Sequence, residues 1–362
     1  MHTPEELALA LATSHQGNTS PNPPVGAVIV QNGIVVAEGA TEPAGGKHAE
    51  IVALESCIET VVGADLYVTL EPCCHYGKTG PCTDRIIDSG IGRVFIGYTD
   101  PNPLISGKGI RALQAAGIEV KQWEDSTLCS VLYEAFEKYI TTNQAFVTAK
   151  FAISLDGKIC THTGDSKWIS NQASRNIVHD FRRKSDAILT GIGTVLADNP
   201  SLTARNSDDS PWADRQPTRV IADSNFRLKT ALDLNIFKQP GKTIIATTSE
   251  LGNTILPETV SVHTFPPNST GKVDLTSLLK TLTELGLINI FVESGNNLLG
   301  ELFDKNLIDK VLAFVAPIII GGSEAKSPIG GNGRKTIEEA LRITRTTVSD
   351  VDGDILVTGY IN

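Results

Sequence analysis

The sequence lacks an excess of positive charge. Its 362 residues include 31 lysines and arginines against 41 aspartates and glutamates, which gives a formal net charge of −10. Proteins that bind nucleic acid or anionic membrane surfaces gain affinity from a basic surface. The composition therefore argues against nucleic acid and against a membrane as the binding partner.

Long apolar runs and targeting segments are missing as well. No stretch approaches the roughly 18 consecutive apolar residues of a membrane span. The N-terminus from Met1 to Glu6 lacks the basic start and apolar run of a signal peptide. We therefore expect a cytoplasmic protein, in which cysteines stay reduced and more often bind metal or take part in chemistry than form disulfides.

The length and the distribution of charge predict two domains. At about 150 residues a domain, 362 residues correspond to roughly two. Residues 1–143 contain 8 basic and 17 acidic side chains, whereas residues 144–362 contain 23 and 24. Five of the six cysteines also lie in the first part. A polar connector over Thr141 to Gln144 predicts the boundary, with domains at 1–143 and 144–362.

Alternating strand and helix patterns predict an α/β sandwich for the first part. Asn32-Gly33 separates two apolar runs and predicts a β-hairpin with a tight primed turn. Helices are predicted over 5–15, 48–62 and 123–139.

The second part shows another α/β pattern, with a strand over 146–153, a helix over 172–184 and a loop over 204–217. Glycine-bearing loops follow predicted strands at Gly191 to Thr194 and at Glu293 to Leu298. Such loops can hold phosphate through backbone N–H groups, although each is a weak motif by itself. Because no G-x-G-x-x-G follows the first strand, an ordinary Rossmann domain is disfavoured.

A histidine and several cysteines form the strongest local signal. His48 is followed by Glu50, and Cys73 and Cys82 both follow prolines. One histidine and two thiolates supply three zinc ligands and leave a fourth position for water, which is the ligand count of a catalytic site. Glu50 is then a spare carboxylate that can act as a proton-transferring acid and base.

This pattern differs from the H-x-E and P-C-x-x-C signature of zinc nucleobase deaminases. Eight residues separate Cys73 from Cys82, and Cys74 and His75 are rival ligands. Two alternatives follow, a structural zinc knuckle with four protein ligands and a set of buried apolar cysteines. The glycine- and proline-containing segment before Cys82 predicts a loop, which weakens the second alternative.

Several motifs together resemble the deaminase half of the bifunctional riboflavin-biosynthesis deaminase/reductase family. They are Pro21-Asn22-Pro23-Pro24-Val25-Gly26, His48-Ala49-Glu50, Thr69-Leu70-Glu71-Pro72-Cys73, His75-Tyr76-Gly77-Lys78-Thr79 and Asp100-Pro101-Asn102-Pro103.

The resemblance implies a cytidine-deaminase-like α/β/α sandwich with His48, Cys73 and Cys82 as zinc ligands, Glu50 as proton donor and acceptor, and Asn22 at the pyrimidine. In that family the long loop between the cysteines is the norm. This chain departs from the family in having Cys74 where serine is usual and Gly80 where proline is usual.

The second half resembles the reductase half of the same family. The motifs are 152–158, Gly164-Asp165-Ser166-Lys167-Trp168-Ile169, Arg182, Gly193-Thr194-Val195, 197–205 and Glu293-Ser294-Gly295. The resemblance implies a dihydrofolate-reductase-like α/β domain that uses NADPH. It implies cofactor contacts at Ala152, Trp168, Thr194, Asp198, Ser224, Gly295, Asn296, Asn297, Leu298, Leu299, Gly300 and Glu301. It implies substrate contacts at Lys150, Ser166, Arg182, Leu202, Arg205 and Glu293.

We therefore expect one chain that catalyses two consecutive steps of riboflavin synthesis on small phosphoribosylated pyrimidines. Zinc-dependent deamination of a diaminopyrimidine would precede NADPH-dependent reduction of a ribosyl group to ribityl. One alternative is a polynucleotide (tRNA) base deaminase with an accessory domain, and another is a non-enzymatic zinc- and nucleotide-binding regulator. Association into a homo-oligomer stays open.

Overall fold

The computed structural model describes residues 2–75, 80–206, 208–212 and 215–361. The chain folds as two compact units, Met1–Gln144 and Ala145–Asn362. Part of the motif from His75 to Thr79 lies outside the described residues, as do three positions of the predicted loop over 204–217, namely 207, 213 and 214. No described helix is both long and apolar enough to cross a membrane.

The first unit alternates helices and strands, which confirms its predicted α/β class. Its helices are α1 (Pro4–Ser14), α2 (Ala49–Ser56), α3 (Cys82–Asp88), α4 (Lys108–Ala115) and α5 (Thr127–Thr142). Its strands are β1 (Gly26–Gln31), β2 (Ile34–Ala40), β3 (Asp65–Val68), β4 (Arg93–Ile96) and β5 (Glu119–Gln122).

The first sheet has the order β2-β1-β3-β4-β5. Strand β1 is antiparallel to both β2 and β3, while β3, β4 and β5 are parallel. The start of β1 therefore lies beside the ends of β2 and β3. The segments that carry Asn22, His48 and Cys73 consequently leave the sheet at the same edge.

The predicted hairpin turn is confirmed. Asn32 and Gly33 both have positive φ, 53° and 78°, as a type I′ turn requires. The hairpin also brings Gly39 against α2, where an added Cβ would lie 2.3 Å from the Ala49 carbonyl oxygen. Only glycine therefore permits the close packing that fixes the start of α2.

The predicted end of the helix over 48–62 is wrong. Helix α2 begins after His48 but ends at Ser56, and Cys57 is already extended with ψ 130°. The residues that follow include β-branched Ile58, Thr60, Val61 and Val62, which lose side-chain freedom in a helix.

The predicted polar connector over Thr141 to Gln144 is only partly a connector. Helix α5 continues through Thr142, and the hydroxyls of Thr141 and Thr142 donate back to the carbonyls of Glu137 and Lys138, each at 2.6 Å. Asn143 then ends the helix in the left-handed conformation with φ 55°. The predicted start of this helix at Trp123 is also wrong, since α5 begins at Thr127.

The second unit continues the alternation. Its helices are α6 (Gln172–Lys184), α7 (Ile192–Asp198), α8 (Asn235–Lys238), α9 (Leu275–Glu284) and α10 (Asn296–Asp304), with a 3₁₀ helix at Arg227–Thr230. Its strands are β6 (Phe146–Ser154), β7 (Ala187–Gly191), β8 (Thr218–Ala222), β9 (Thr243–Thr247), β10 (Val260–Thr264), β11 (Asn289–Glu293), β12 (Lys310–Ala316), β13 (Ile343–Val351) and β14 (Asp354–Ile361).

The second sheet has the order β10-β9-β8-β7-β11-β6-β12-β14-β13. Strands β6 to β12 are parallel to one another, and β14 is antiparallel to both β12 and β13. The central strands read as apolar runs, as expected for strands covered on both faces. Their carboxyl ends meet at one edge, where ligands of open α/β sheets bind.

The glycine-bearing loop predicted at Gly191 to Thr194 is in fact the start of a helix. Helix α7 begins at Ile192 and buries Ile192 and Val195 against the sheet. Gly191 just before the helix and Gly193 within it conceal this pattern in the sequence, because glycine is a poor helix former. No element was predicted at the 3₁₀ helix or at α8, β10, α9, β12 and β13.

Candidate active sites

Three predicted metal ligands come together in the first unit. His48 immediately precedes α2, Cys73 follows β3, and Cys82 begins α3. The Nδ1 atom of His48 lies 3.3 Å from the Cys82 sulfur and 3.6 Å from the Cys73 sulfur. All three ligand atoms lie within 4.8 Å of one another. Residues that are distant in sequence thus form a compact donor set.

Hydrogen bonds within this cluster shift the pKa values of its side chains. The bond from Cys82, with a further one from His48, lowers the pKa of the Cys73 thiol to about 4. The bond to Cys73 raises the pKa of His48 to about 8. Cys82 donates to the Cys73 sulfur, and this bond raises the pKa of the Cys82 thiol. The cluster therefore favours the thiolate form of Cys73, which is the form that binds a metal ion.

Glu50 is buried beside these ligands in the first turn of α2. Its side chain is 3% exposed, and its Oε2 atom has no hydrogen-bond partner in the described part of the chain. Burial, with a smaller contribution from Cys73, raises the pKa of Glu50 to about 7. A carboxyl group of this pKa can take up and release a proton near neutral pH.

This arrangement fits zinc. One imidazole and two thiolates are ligands that zinc prefers, and three protein ligands leave a position open. The unpartnered Glu50 oxygen supplies a group to receive a proton at that position. Among described residues, Cys74 and His75 do not belong to the cluster, which argues against the four-ligand zinc knuckle.

Glu71 positions the cysteine segment, and the sequence analysis missed this role. Its buried carboxylate accepts hydrogen bonds from the backbone N–H groups of Asp100, Gly107 and Ile110 at 3.2, 2.9 and 3.2 Å. These bonds tie the residue two positions before Cys73 to the loop after β4 and to the start of α4. The sequence signal for it is its place in the motif from Thr69 to Cys73, where an acidic residue directly follows an apolar run.

Asn22 lies in the loop before β1. Its backbone is fixed by Thr19, which accepts a hydrogen bond from the Asn22 N–H at 3.0 Å and donates one to the Asn22 carbonyl at 2.9 Å. The loop leaves the sheet at the edge that also carries His48 and Cys73. This position is compatible with the predicted substrate contact.

Serine substitution can test the choice between the adjacent cysteines. We expect Cys74→Ser to keep bound zinc and deaminase activity, since the Cys74 sulfur stands outside the cluster. We expect Cys73→Ser to lose most of both, because a hydroxyl is a poor substitute for a thiolate zinc ligand. Metal analysis of the purified variants measures this difference, and equal zinc loss in both would contradict the ligand assignment.

A cavity of about 1460 Å³ occupies the carboxyl edge of the second sheet. It is lined by every residue predicted to contact the reductase substrate: Lys150, Ser166, Arg182, Leu202, Arg205 and Glu293. It is also lined by most of those predicted to contact the cofactor: Ala152, Trp168, Thr194, Asp198, Ser224, Gly295, Asn296, Asn297, Leu298 and Glu301.

Leu299 and Gly300, also predicted as cofactor contacts, do not line this cavity. Both lie on the side of α10 that packs into the unit, and Leu299 is fully buried in the apolar core. An added Cβ at Gly300 would lie 2.3 Å from the Gly330 backbone. Gly300 therefore allows a neighbouring chain segment to pack closely against α10.

A charged network joins α6 to β11 at one end of the cavity. Arg182 makes a forked ion pair with Glu293, through Nε to Oε1 at 2.5 Å and Nη2 to Oε2 at 3.0 Å. Lys150 stands beside Glu293 on the adjacent strand. Burial lowers the pKa of Lys150. Burial opposes ionisation of Glu293, but Arg182 keeps the pKa of that carboxyl lowered overall.

The chain after α7 closes the same end of the cavity. The Thr203 carbonyl accepts a hydrogen bond from Arg182 Nη1 at 3.0 Å and lies 3.2 Å from His179 Nδ1. Arg205 bonds the Thr203 hydroxyl at 3.1 Å and pairs with Asp209 at 2.8 Å. His179 is a cavity residue that the sequence analysis missed, because nothing in its local pattern distinguishes it from a surface helix position.

The start of α10 forms a second part of the cavity. The Gly295 N–H donates to the Thr194 hydroxyl at 3.0 Å, and no side chain caps the helix. N–H groups of the first turn have no partner within a helix and favour anions. A Cβ at Gly193 would meet no protein atom within 4 Å, so the space beside this backbone is open to a ligand. These features fit the phosphates of a dinucleotide.

Other predicted cofactor residues stand around this part of the cavity. Trp168 is 71% exposed, and the Arg175 guanidinium lies over its ring at 4.7 Å. The Asp198 carbonyl accepts a hydrogen bond from Lys167 at 3.0 Å. The Ser224 hydroxyl accepts one from the Val273 N–H at 3.0 Å. Hydrogen bonds therefore fix polar groups of several loops at the rim of the cavity.

Two family models match the chain. The model described as RibD C-terminal domain matches residues 145–357, and the model described as cytidine and deoxycytidylate deaminase zinc-binding region matches residues 3–98.

Curated relatives match almost the whole chain. Riboflavin biosynthesis protein RibD of Actinobacillus pleuropneumoniae is 40% identical over 97% of this chain and 92% of its own length. The Escherichia coli (strain K12) protein of the same name is 36% identical over 96% of both chains.

Solved structures show the same similarity. RibD of Acinetobacter baumannii superposes with a TM-score of 0.82 at 33% identity over 98% of this chain and 97% of that one. A diaminohydroxyphosphoribosylaminopyrimidine deaminase/5-amino-6-(5-phosphoribosylamino)uracil reductase from Thermotoga maritima gives 0.84 at 37% identity, with the same coverage. The expected fold class, a deaminase-like domain followed by a reductase domain, is thereby confirmed.

Proposed function

Because the chain belongs to the RibD family of bifunctional deaminase/reductases of riboflavin biosynthesis, we propose that its first unit carries the deaminase activity and its second unit the reductase activity. The enzyme uses zinc in deamination and NADPH in reduction. The proposal assigns residues 1–143 to the first activity and residues 144–362 to the second.

The proposed first substrate is 2,5-diamino-6-(5-phosphoribosylamino)pyrimidin-4(3H)-one, which loses its 2-amino group by hydrolysis. The product, 5-amino-6-(5-phosphoribosylamino)uracil, is then reduced so that its ribosyl side chain becomes ribityl. The name of the Thermotoga maritima relative, at 37% identity, supports these two substrates. Small pyrimidines rather than nucleic acid also suit the 8 basic and 17 acidic residues of the first 143 positions.

The observation that carries the deaminase proposal is the buried Glu50 carboxyl group beside three converging ligands, with no hydrogen-bond partner for its Oε2 atom among the described residues. His48, Cys73 and Cys82 would hold zinc, whose chemistry is to activate water as a nucleophile at neutral pH. Glu50 would accept a proton from that water and deliver it to the departing amino group. Asn22 would orient the pyrimidine at the sheet edge.

In the second unit, residues of the chain would hold the sugar phosphate next to the cofactor. NADPH supplies the hydride, and the protein supplies alignment. Arg182 uses three N–H donors on Glu293 and Thr203, which leaves further donors of its guanidinium for a ligand. Arg205 and Lys150 would add positive charge near the substrate phosphate and ribose. A cytoplasmic location, where zinc-binding thiols stay reduced, completes the proposal.

Metal removal tests whether the two activities are separate. After zinc is removed with a chelator, we expect ammonia release from the diaminopyrimidine to fall to background. NADPH oxidation on the deaminated intermediate should continue at its original rate, because the residues proposed for reduction include no zinc ligand. Ammonia and NADPH are followed in parallel assays.

Adding zinc back provides the control and should restore ammonia release. Undiminished ammonia release in zinc-free protein would contradict the proposed deaminase site. Loss of both activities on chelation, recovered together on zinc addition, would contradict the assignment of one activity to each unit.

A further inference from the structure

We propose that Arg227 and Lys272 bind the 2′-phosphate that distinguishes NADPH from NADH. The inference rests on the proposed reductase function of the second unit and adds the residues that select its cofactor. Both side chains line the 1460 Å³ cavity near the end of β8. Neither belongs to a motif that the sequence analysis singled out.

The backbone around these two residues is held in place at Ser224. The Ser224 hydroxyl accepts a hydrogen bond from the Val273 N–H at 3.0 Å, which fixes the loop that carries Lys272. The Ser224 carbonyl accepts one from the Thr248 N–H at 3.0 Å, just after β9. Arg227 begins the 3₁₀ helix three residues later. One serine thus ties both cation-bearing segments to the end of β8.

The order of strands in the sheet places Arg227 and Lys272 at a distance from the proposed site of reduction that a dinucleotide can span. Strand β8 is two strands from β11, with β7 between them. At about 4.8 Å a strand, the end of β8 lies roughly 10 Å from Glu293 and about 14 Å from Lys150 on β6. The start of α10 lies between the two ends and suits the pyrophosphate. An extended dinucleotide with its nicotinamide near Lys150 therefore directs its adenosine toward β8.

Most other cations around the cavity already have partners. Of the eight described lysine and arginine side chains that line it, six contact a carboxylate, a backbone carbonyl or an aromatic ring, namely Lys150, Lys167, Arg175, Arg182, Arg205 and Arg227, and the contact of Arg227 with Asp223 is long at 3.9 Å. Lys326 lies at the opposite side of the cavity, where its backbone carbonyl accepts a hydrogen bond from the Ile159 N–H after β6. Arg227 and Lys272 are the two of these eight side chains that lie near the end of β8.

The charges of both residues are available for a ligand. Arg227 is half exposed, and its closest carboxylate is Asp223, with Nε 3.9 Å from Oδ1. Asp223 is fully buried, and its Oδ2 atom accepts the Leu228 N–H at 2.8 Å. Lys272 is exposed and, within the described ranges, has no carboxylate within 4.0 Å of its Nζ atom. A phosphate at this corner would gain two cationic partners.

NADPH and NADH differ by a single group on the adenosine ribose. NADPH has a phosphate on the adenosine 2′-oxygen, and NADH has a hydroxyl. Charge-assisted hydrogen bonds from guanidinium and ammonium groups favour the phosphate strongly. Removal of both cations should weaken NADPH binding by about 10- to 100-fold and leave NADH binding unchanged.

The test is a set of calorimetric titrations of full-length wild type and the Arg227→Ala/Lys272→Ala double variant. The ligands are NADPH, NADH, adenosine 2′,5′-bisphosphate and AMP, so that each pair differs in the 2′-phosphate. We expect the wild type to prefer the 2′-phosphorylated member of each pair. The double variant should lose this preference while it binds NADH as well as the wild type does, which also shows that it is folded.

Lys229→Ala is the matched control. Lys229 lies on the same 3₁₀ helix as Arg227 and is exposed, but it does not line the cavity. This variant should keep the wild-type preference. A double variant that still prefers NADPH would overturn the inference while leaving the proposed function intact. Wild-type protein that binds neither dinucleotide would contradict both.

Discussion

Replacing Glu50 by glutamine is expected to lower the rate of deamination by about 10²- to 10⁴-fold, the usual contribution of a general acid and base. Glutamine keeps the size of the side chain but cannot take up or release a proton. Its effect should be confined to the chemical step, because Glu50 is not among the three clustered ligands. Ammonia release from the diaminopyrimidine, normalised to bound zinc, is the measurement.

Two controls make this experiment specific. Glu55→Gln alters another glutamate of α2, one that is exposed and paired with Lys47, and should leave deamination unchanged. NADPH oxidation on the deaminated intermediate should be the same in all three proteins. Full deaminase activity in Glu50→Gln with wild-type zinc content would show that another group moves the proton.

Replacing Arg182 by alanine is expected to abolish reduction and to destabilise the second unit by about 3 kcal/mol. The Arg182 and Glu293 side chains are only 16% and 11% exposed. Without the guanidinium, Glu293 is left as a buried charge, with Lys150 as the remaining cation on the neighbouring strand. Thermal or denaturant unfolding measures the stability, and NADPH oxidation measures the activity.

The double variant Arg182→Met/Glu293→Gln separates stability from function. A methionine and a neutral amide remove the buried carboxylate charge but leave Lys150 without its neighbouring negative charge, so part of the lost stability should return. Reduction should remain absent if Arg182 and Glu293 hold the substrate. Recovery of activity together with stability would mean that the pair has only a structural role.

Local chemistry made parts of the fold predictable. The Asn32-Gly33 turn was predictable because few residue pairs tolerate two consecutive positive φ angles. Helix α6 ends as predicted at Lys184, where a cluster of basic residues matches the helix dipole. Helix α2 was predicted six residues too long, since apolar spacing continues after the backbone has already turned at Cys57.

The site was predictable only where a motif concentrates its residues. His48, Glu50, Cys73 and Cys82 stand in short, chemically distinctive segments, and the structure brings the three metal ligands together. The pairing of Arg182 with Glu293 joins residues 111 positions apart and depends on how α6 packs against β11. Glu71, His179 and Arg227 were missed because the groups around each of them come from segments that meet only in the folded chain.

The order of strands in the second sheet also bears on how the chain folds as it leaves the ribosome. In the first unit, strands next to each other in the sheet are never far apart in sequence, so its sheet can form before synthesis of the second unit begins. Strand β6 is the first of its unit to emerge, yet its partners β11 and β12 follow more than a hundred residues later. At about 5–20 residues per second, β6 waits roughly 7–27 s with both edges unpaired. During that interval a nascent chain with a finished first unit exposes an apolar strand, which is the kind of segment that chaperones bind.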